Sequence, residues 1–187
     1  QTLQASEKLL DCQRNLTTQQ GRDIPALVAW GDMEKDEWVV LGIGNPYLQD
    51  DRAGVVVTER LEALRLPCRI EQLLTVGFEV LDKIRGASRA IIVDACKLGN
   101  PPGSILQVSV EDLFRSHHLV NSHAVTLGTT LKTGMVCFPD EMPKELHIWL
   151  IEVKNISEFT QIMSPEVEQA VGEVVKGIQR LLTEQAS

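Results

Sequence analysis

Three aspartates and one histidine are the side chains in this sequence whose type and setting can do chemistry. Asp50-Asp51 follows the apolar run Trp38-Val39-Val40-Leu41-Gly42-Ile43 by one glycine-bearing loop, and Asp94 closes a second run, Ala90-Ile91-Ile92-Val93. Continuous apolar runs of this length read as strands buried on both faces. Ligands of open α/β sheets bind beyond the carboxyl ends of such strands. Two carboxylates in one crevice repel each other and invite a cation. A histidine is the natural third ligand, and the chain has four: His117, His118, His123 and His147. His147 falls at the start of an expected strand, away from the carboxyl ends, and His117-His118 fall in a polar loop. His123 falls in the first turn of the helix after that loop, where it can point into the crevice. Asp51, Asp94 and His123, with room for waters, suit a divalent first-row metal such as nickel or zinc.

Each of these residues also has a plainer use. Asp50 is placed to cap the helix that follows it, Asp51 and Asp94 can fix turns, and a histidine at a helix start is commonly a surface residue. Cys96, two residues past Asp94, can be a soft ligand or nucleophile, but reads first as a buried packing thiol. Gly42-Ile43-Gly44-Asn45 opens like a dinucleotide fingerprint, yet Tyr47 stands where its third glycine is required. Pro46 and the acidic pair also oppose a pyrophosphate. There is no GxSxG elbow, no HExxH and no convincing Ser/His/Asp set.

The elements that position these residues alternate between strand and helix. Strands are expected at 38–43, 68–74, 90–95, 104–109 and 146–153, and helices from Asp50 to about Arg65, at 77–84 and at 122–133. One helical turn is expected at 111–115. Ser164-Pro165-Glu166 starts a last helix with a cap, a proline at the first helical position and an acidic first turn. The expected fold is α/β, a three-layer sandwich with a twisted, mostly parallel sheet of about five strands and helices on both faces. Residues 1–37 are polar and Gln-rich, with at most a short helix near Leu3–Leu16. They read as an N-terminal extension without an assigned function, and 38–187 as the working domain, with Met33 a natural start just before the first strand.

Composition narrows the classes further. The 187 residues are 43% hydrophobic and 24% charged, with 18 Lys+Arg against 26 Asp+Glu and a formal charge of −8. That is a globular composition. An acidic chain is a poor sequence-independent nucleic-acid binder. No run approaches the length of a membrane span, and no secretory leader is visible. Cys12, Cys68, Cys96 and Cys137 form no CxxC pair, so they read as reduced thiols of a cytoplasmic protein rather than a zinc knuckle.

Taken in order, the motifs resemble those of the hydrogenase maturation proteases, the endopeptidases that trim the C-terminus of the nickel–iron hydrogenase large subunit. Leu41-Gly42-Ile43-Gly44-Asn45 followed by Asp50-Asp51-Arg52-Ala53-Gly54 is similar to the family's GxGN…D(D/E)xxG opening. Thr75-Val76-Gly77 resembles its TAG-like loop, Ile91-Ile92-Val93-Asp94-Ala95 its strand ending in Asp-Ala, Pro102-Gly103 its turn and Ser122-His123 its Ser/Pro-His step. Pro143-Lys144-Glu145-Leu146 and Ser164-Pro165-Glu166-Val167 resemble its last strand and helix. The resemblance covers about 38–184. The chain departs from the pattern at Gln72-Leu73-Leu74, where the family often has Asp-Gly-Gly, and at Val153-Lys154, where a proline turn is common.

The resemblance implies an aspartyl-type endopeptidase that removes the tail of a nickel-loaded large-subunit precursor. Nickel would be supplied by the substrate and bound by Asp51, Asp94 and His123, with Asp50 a further candidate base or only a cap. Another divalent metal could occupy the same ligands. The implied partner is the precursor, with no nucleic acid and no membrane, and the expected state is a monomer in the cytoplasm. The attacking water is activated by the metal or by a carboxylate, and both routes stay open. Two other readings are a non-enzymatic maturation factor that binds nickel or the large subunit, and a Rossmann-like nucleotide-binding enzyme motivated only by the first glycine loop.

Overall fold

A computed structural model describes residues 38–115 and 123–184. Residues 1–37, and His117, His118 and Ser122, lie outside the described residues. Five strands form one sheet: β1 (Trp38–Ile43), β2 (Cys68–Leu73), β3 (Arg89–Cys96), β4 (Ile105–Val108) and β5 (Glu145–Glu152). Their order across the sheet is β2-β1-β3-β5-β4. β1 pairs in parallel with β2 and β3, and β3 with β5, while β4 closes the far edge antiparallel to β5. The helices are α1 (Ala53–Ala63), α2 (Glu79–Ile84), the single turn α3 (Asp112–Arg115), α4 (His123–Cys137) and α5 (Pro165–Glu184).

Side chains of a strand alternate between faces, so the two central strands feed two cores. Val39, Leu41, Ile43, Ala90 and Ile92 join Val80, Leu81, Ile84, Leu127 and Leu131 on the face covered by α2 and α4. Trp38, Val40, Ile91 and Val93 join Val56, Val57, Leu61, Val171, Val174 and Ile178 on the face covered by α1 and α5. That is the expected α/β arrangement, with helices on both faces of a mostly parallel sheet.

Three local expectations are corrected. Asp50 does not cap a helix. A 3-10 turn, Gln49–Arg52, precedes α1, and no side chain caps either element. The Asp50 carboxylate is instead claimed by donors from the far end of the chain. α1 also stops short of Arg65, which adopts φ +51° while the Leu64 and Arg65 amides fold back on Leu61 and Glu62. α4 runs four residues past Thr133, to Cys137.

Chain direction sets where each helix begins. β1 leads through α1 to β2 on one side, and the chain then crosses to β3 on the other, so strand order reverses between β1 and β3. Such a switch point opens a crevice at the carboxyl ends of the two strands. α4 delivers the chain to the opposite edge, since the Lys144 amide just before β5 donates to the Ser88 carbonyl just before β3. A fifteen-residue helix spans about 22 Å at 1.5 Å per residue, so α4 starts at the carboxyl edge.

Candidate functional site

Asp51 and Asp94 flank this switch point. β1 pairs with β3 only as far as Gly42 and Val93, so Asp94 is the first β3 residue beyond that register. By alternation Asp94 shares the face of Ala90 and Ile92, the face that α4 covers. Its side chain is 1% exposed. Oδ1 accepts the Ala95 amide at 2.9 Å, and Oδ2 is buried with no hydrogen-bond partner. Burial pushes the Asp94 carboxyl up to about 8, over a lowering by the Ala95 amide and with a lesser push upward from the charge of Asp51. Near neutral pH this carboxyl therefore keeps its proton. The two aspartates share an electrostatic environment, as two carboxylates at one crevice must.

Asp51 is held by the glycine-bearing loop. Its Oδ2 accepts the Asn45 amide at 2.8 Å, and Asn45 Oδ1 accepts the Tyr47 amide at 3.0 Å. The motif glycines allow this close packing. Gly44 has φ +147°, and a Cβ there would strike the Asp51 carbonyl. A Cβ on Gly54 would strike the Ile43 and Val93 carbonyls, and one on Gly42 the Gly54 carbonyl. These glycines serve helix-against-sheet contact at the switch point.

Asp50 faces away from that pair. It has no exposed surface, and four donors converge on it: the amides of Lys154 (3.1 Å), Asn155 (2.9 Å) and Ser164 (2.7 Å), and the Ser164 hydroxyl (2.8 Å). The Ser164 hydroxyl, expected to cap α5, donates its proton here. Asp50 thus fastens the β5–α5 loop to the turn that carries Asp51.

His123 is the first residue of α4, at the carboxyl edge, one turn before Leu127 and two before Leu131, both fully buried. The position therefore belongs to the stripe of α4 that meets the Asp94 face; its side chain lies outside the described residues. Among the described residues no group of three or more His, Cys, Asp or Glu is arranged to hold a metal ion. The expected trio needs His123, so the described pair is Asp51 and Asp94. The unpartnered Asp94 Oδ2 beside a second carboxylate is a donor set that fits a divalent cation. His147 sits inside β5 at the opposite end, 2.8 Å from Glu145 and tilted against the Trp38 ring.

One buried carboxylate was missed in the sequence. Glu152, 1% exposed, accepts the Leu98 and Gly99 amides at 2.7 and 2.8 Å on Oε1. Its Oε2 takes the Asn100 amide group at 3.3 Å and the Cys96 thiol at 3.6 Å. An acid closing the apolar run Ile148–Ile151 was the available signal, the same one that marked Asp94. Burial first, and Glu152 and Asp94 after it, push the Cys96 thiol far above its ordinary value. Cys96 is a buried, protonated thiol, as the plainer reading had it.

Solved structures share this fold. The hydrogenase maturating endopeptidase HybD from E. coli is 28% identical and superposes with a TM-score of 0.64 over 80% of this chain and 93% of that one. The nickel–iron hydrogenase maturation protease HybD from Thermococcus kodakarensis shares the fold at 23% identity and a TM-score of 0.63, over 78% of this chain and 99% of that one. The hydrogenase expression/formation protein HupD of Thiocapsa roseopersicina is 25% identical over 138 residues, 72% of this chain and 62% of that relative's length. The family profile described as hydrogenase maturation protease matches residues 70–181, well over half the sequence. With that profile matching more than half of the chain, the chain belongs to the hydrogenase maturation protease family.

Proposed function

We propose that this protein is an endopeptidase that removes the C-terminal tail of a nickel-loaded nickel–iron hydrogenase large-subunit precursor. The observation that carries the reading is the buried, unpartnered Oδ2 of Asp94 beside Asp51 at the switch point. Nickel arrives with the substrate. Asp51, Asp94 and His123 complete its coordination, and a precursor without nickel lacks that contact. Asp94 keeps its proton until a dication takes its place, so recognition of a loaded precursor and ionisation of the site are coupled. Water then adds to the scissile carbonyl, the C–N bond breaks, and the amine leaves with a proton. Asp50, with both oxygens occupied, positions Asp51 rather than reacting.

The protein acts in the cytoplasm, as a monomer, on the precursor. Among the described residues no helix is long and apolar enough to cross a membrane, and Cys96 and Cys137 are free thiols, which suits a reducing compartment. Mass spectrometry of the precursor's C-terminus tests the reading. Asp51→Ala, Asp94→Ala and His123→Ala each abolish processing of nickel-loaded precursor while circular dichroism stays native. Normal processing by all three overturns it. Nickel-dependent binding with no shortened product marks a non-enzymatic maturation factor instead.

A further inference from the structure

Nine large apolar side chains are exposed among the described residues, and six of them stand on loops leaving the carboxyl ends of β1, β2 and β5. Loops at a strand end are ordinarily polar. Apolar residues gathered there mark a surface that something covers. The β2–α2 loop carries Leu74 (67% exposed) and Phe78 (64%), and the β5–α5 loop carries Phe159 (85%) and Ile162 (78%). Among the four mutually parallel strands, ordered β2-β1-β3-β5, these are the outer positions. The inner two, β1 and β3, lead to Asp51 and Asp94. Apart from Tyr47 on the β1 loop, the edge is acidic at its centre and apolar on both flanks.

Both flanks are fastened to the segment that carries Asp51. The Gly44 amide donates to the Leu73 carbonyl at 3.0 Å on the β2 side. On the β5 side Leu48 bridges Phe159, the Gln49 amide donates to Glu158 at 3.1 Å and Arg52 Nη1 to the Gln161 carbonyl at 2.6 Å. The exposed residues are thus held by built loops, in fixed relation to the crevice.

We propose that the two flanks are one docking surface for the polypeptide substrate, which lays large apolar residues against Leu74 and Phe78 on one side and Phe159 and Ile162 on the other, with the segment to be cut crossing Asp51 and Asp94 between them. This rests on the endopeptidase reading. A polypeptide cut at the crevice must pass over its rim, so the flanks are continuous with the substrate's path. Specificity then comes from apolar contacts on both sides of the cut, in addition to the metal.

The test uses purified nickel-loaded precursor immobilised for interferometry, with cleavage followed in parallel. Leu74→Ser with Phe78→Ser, and separately Phe159→Ser with Ile162→Ser, each weaken binding and raise KM by about tenfold or more, with kcat within about twofold. Phe78→Leu and Phe159→Leu keep most of the affinity, which a misfolded loop would not. Val136→Ser, on the exposed face of α4, binds as the wild type does. Unchanged binding in either double variant, equal loss in Val136→Ser, or no binding by the wild type overturns the proposal. So does a wild-type dimer, seen by sedimentation, that the double variants dissolve. Binding without cleavage by the wild type refutes the endopeptidase reading and leaves the docking surface standing.

Discussion

Ser164 donates both its amide, at 2.7 Å, and its hydroxyl, at 2.8 Å, to the one carboxylate of Asp50. Together with the Lys154 and Asn155 amides, this ties the loop before α5 to the turn between β1 and α1. The second aspartate of the pair is thereby set in place by the first.

Removing that anchor has a predictable cost. Asp50→Ala strands the buried Ser164 amide and the partly buried amides of Lys154 and Asn155, and each unsatisfied buried donor costs about 1–3 kcal/mol. We expect a loss of about 3 kcal/mol or more in urea unfolding, and faster hydrogen exchange at the amides of 154, 155 and 164. A stability within 0.5 kcal/mol of wild type (about the scatter of a surface substitution) shows the network to be dispensable.

The spacing between Asp51 and Gly54 makes a second prediction. A Cβ at 54 meets the carbonyls of Ile43 and Val93, which are backbone and cannot rotate away. Gly54→Ala must push α1 off β1 and β3 and carry the 3-10 turn with it. The expected result is destabilisation by about 2 kcal/mol or more and loss of processing. Gly172, on the open side of α5 with nothing within reach of a Cβ, accepts alanine with unchanged or slightly higher stability. Equal effects at 54 and 172 contradict the packing account.

These two cases show how much was legible in the sequence. Apolar runs of uniform burial gave β1 and β3, and their ends gave Asp51 and Asp94, because strand ends in an α/β sheet are read from local pattern. The strand β4 was read as well, but its antiparallel edge placement and the 3-10 break before α1 were not, since both depend on what packs across the sheet. The partners of Asp50 lie at 154–164, and those of Glu152 at 96–100. No local rule links such positions, so Asp50 read as a cap and Glu152 was overlooked. The motif glycines open like a phosphate-binding fingerprint that Tyr47, Pro46 and the acidic pair already opposed, and the structure gives their use, which is clearance for Gly54 and Asp51.

Glu152 makes the third prediction. Glu152→Ala frees the Leu98 and Gly99 amides and the Asn100 side chain, and the β3–β4 loop loses its anchor. A loss of about 2–4 kcal/mol is expected. In the native wild type Cys137 is exposed and Cys96 buried, so a thiol reagent labels Cys137 quickly and Cys96 only on unfolding. Glu152→Ala should bring Cys96 labelling forward at native conditions, measured by peptide mass mapping. Labelling of Cys96 as slow as in the wild type indicates that the loop holds without Glu152.

The last prediction follows from Asp94 and has a definite sign. Its carboxyl has an ordinary value of 3.8 and is pushed up to about 8 in the fold. Between those limits the unfolded chain is ionised while the folded one keeps the proton, so the folded state binds more protons and stability falls as pH rises. The slope is about 1.4 kcal/mol per pH unit, or about 3 kcal/mol between pH 5 and pH 7. Below about pH 4 the effect vanishes, and above about pH 8 it is complete. Asp94→Asn cannot ionise, so its urea-unfolding stability relative to wild type should climb by that amount across the window. Added nickel should offset part of the wild-type loss above pH 7, because a dication holds the ionised carboxyl. A difference between the two proteins that stays flat from pH 5 to pH 8 shows that Asp94 is already ionised in the fold, and the coupling between its proton and the substrate's nickel fails with it.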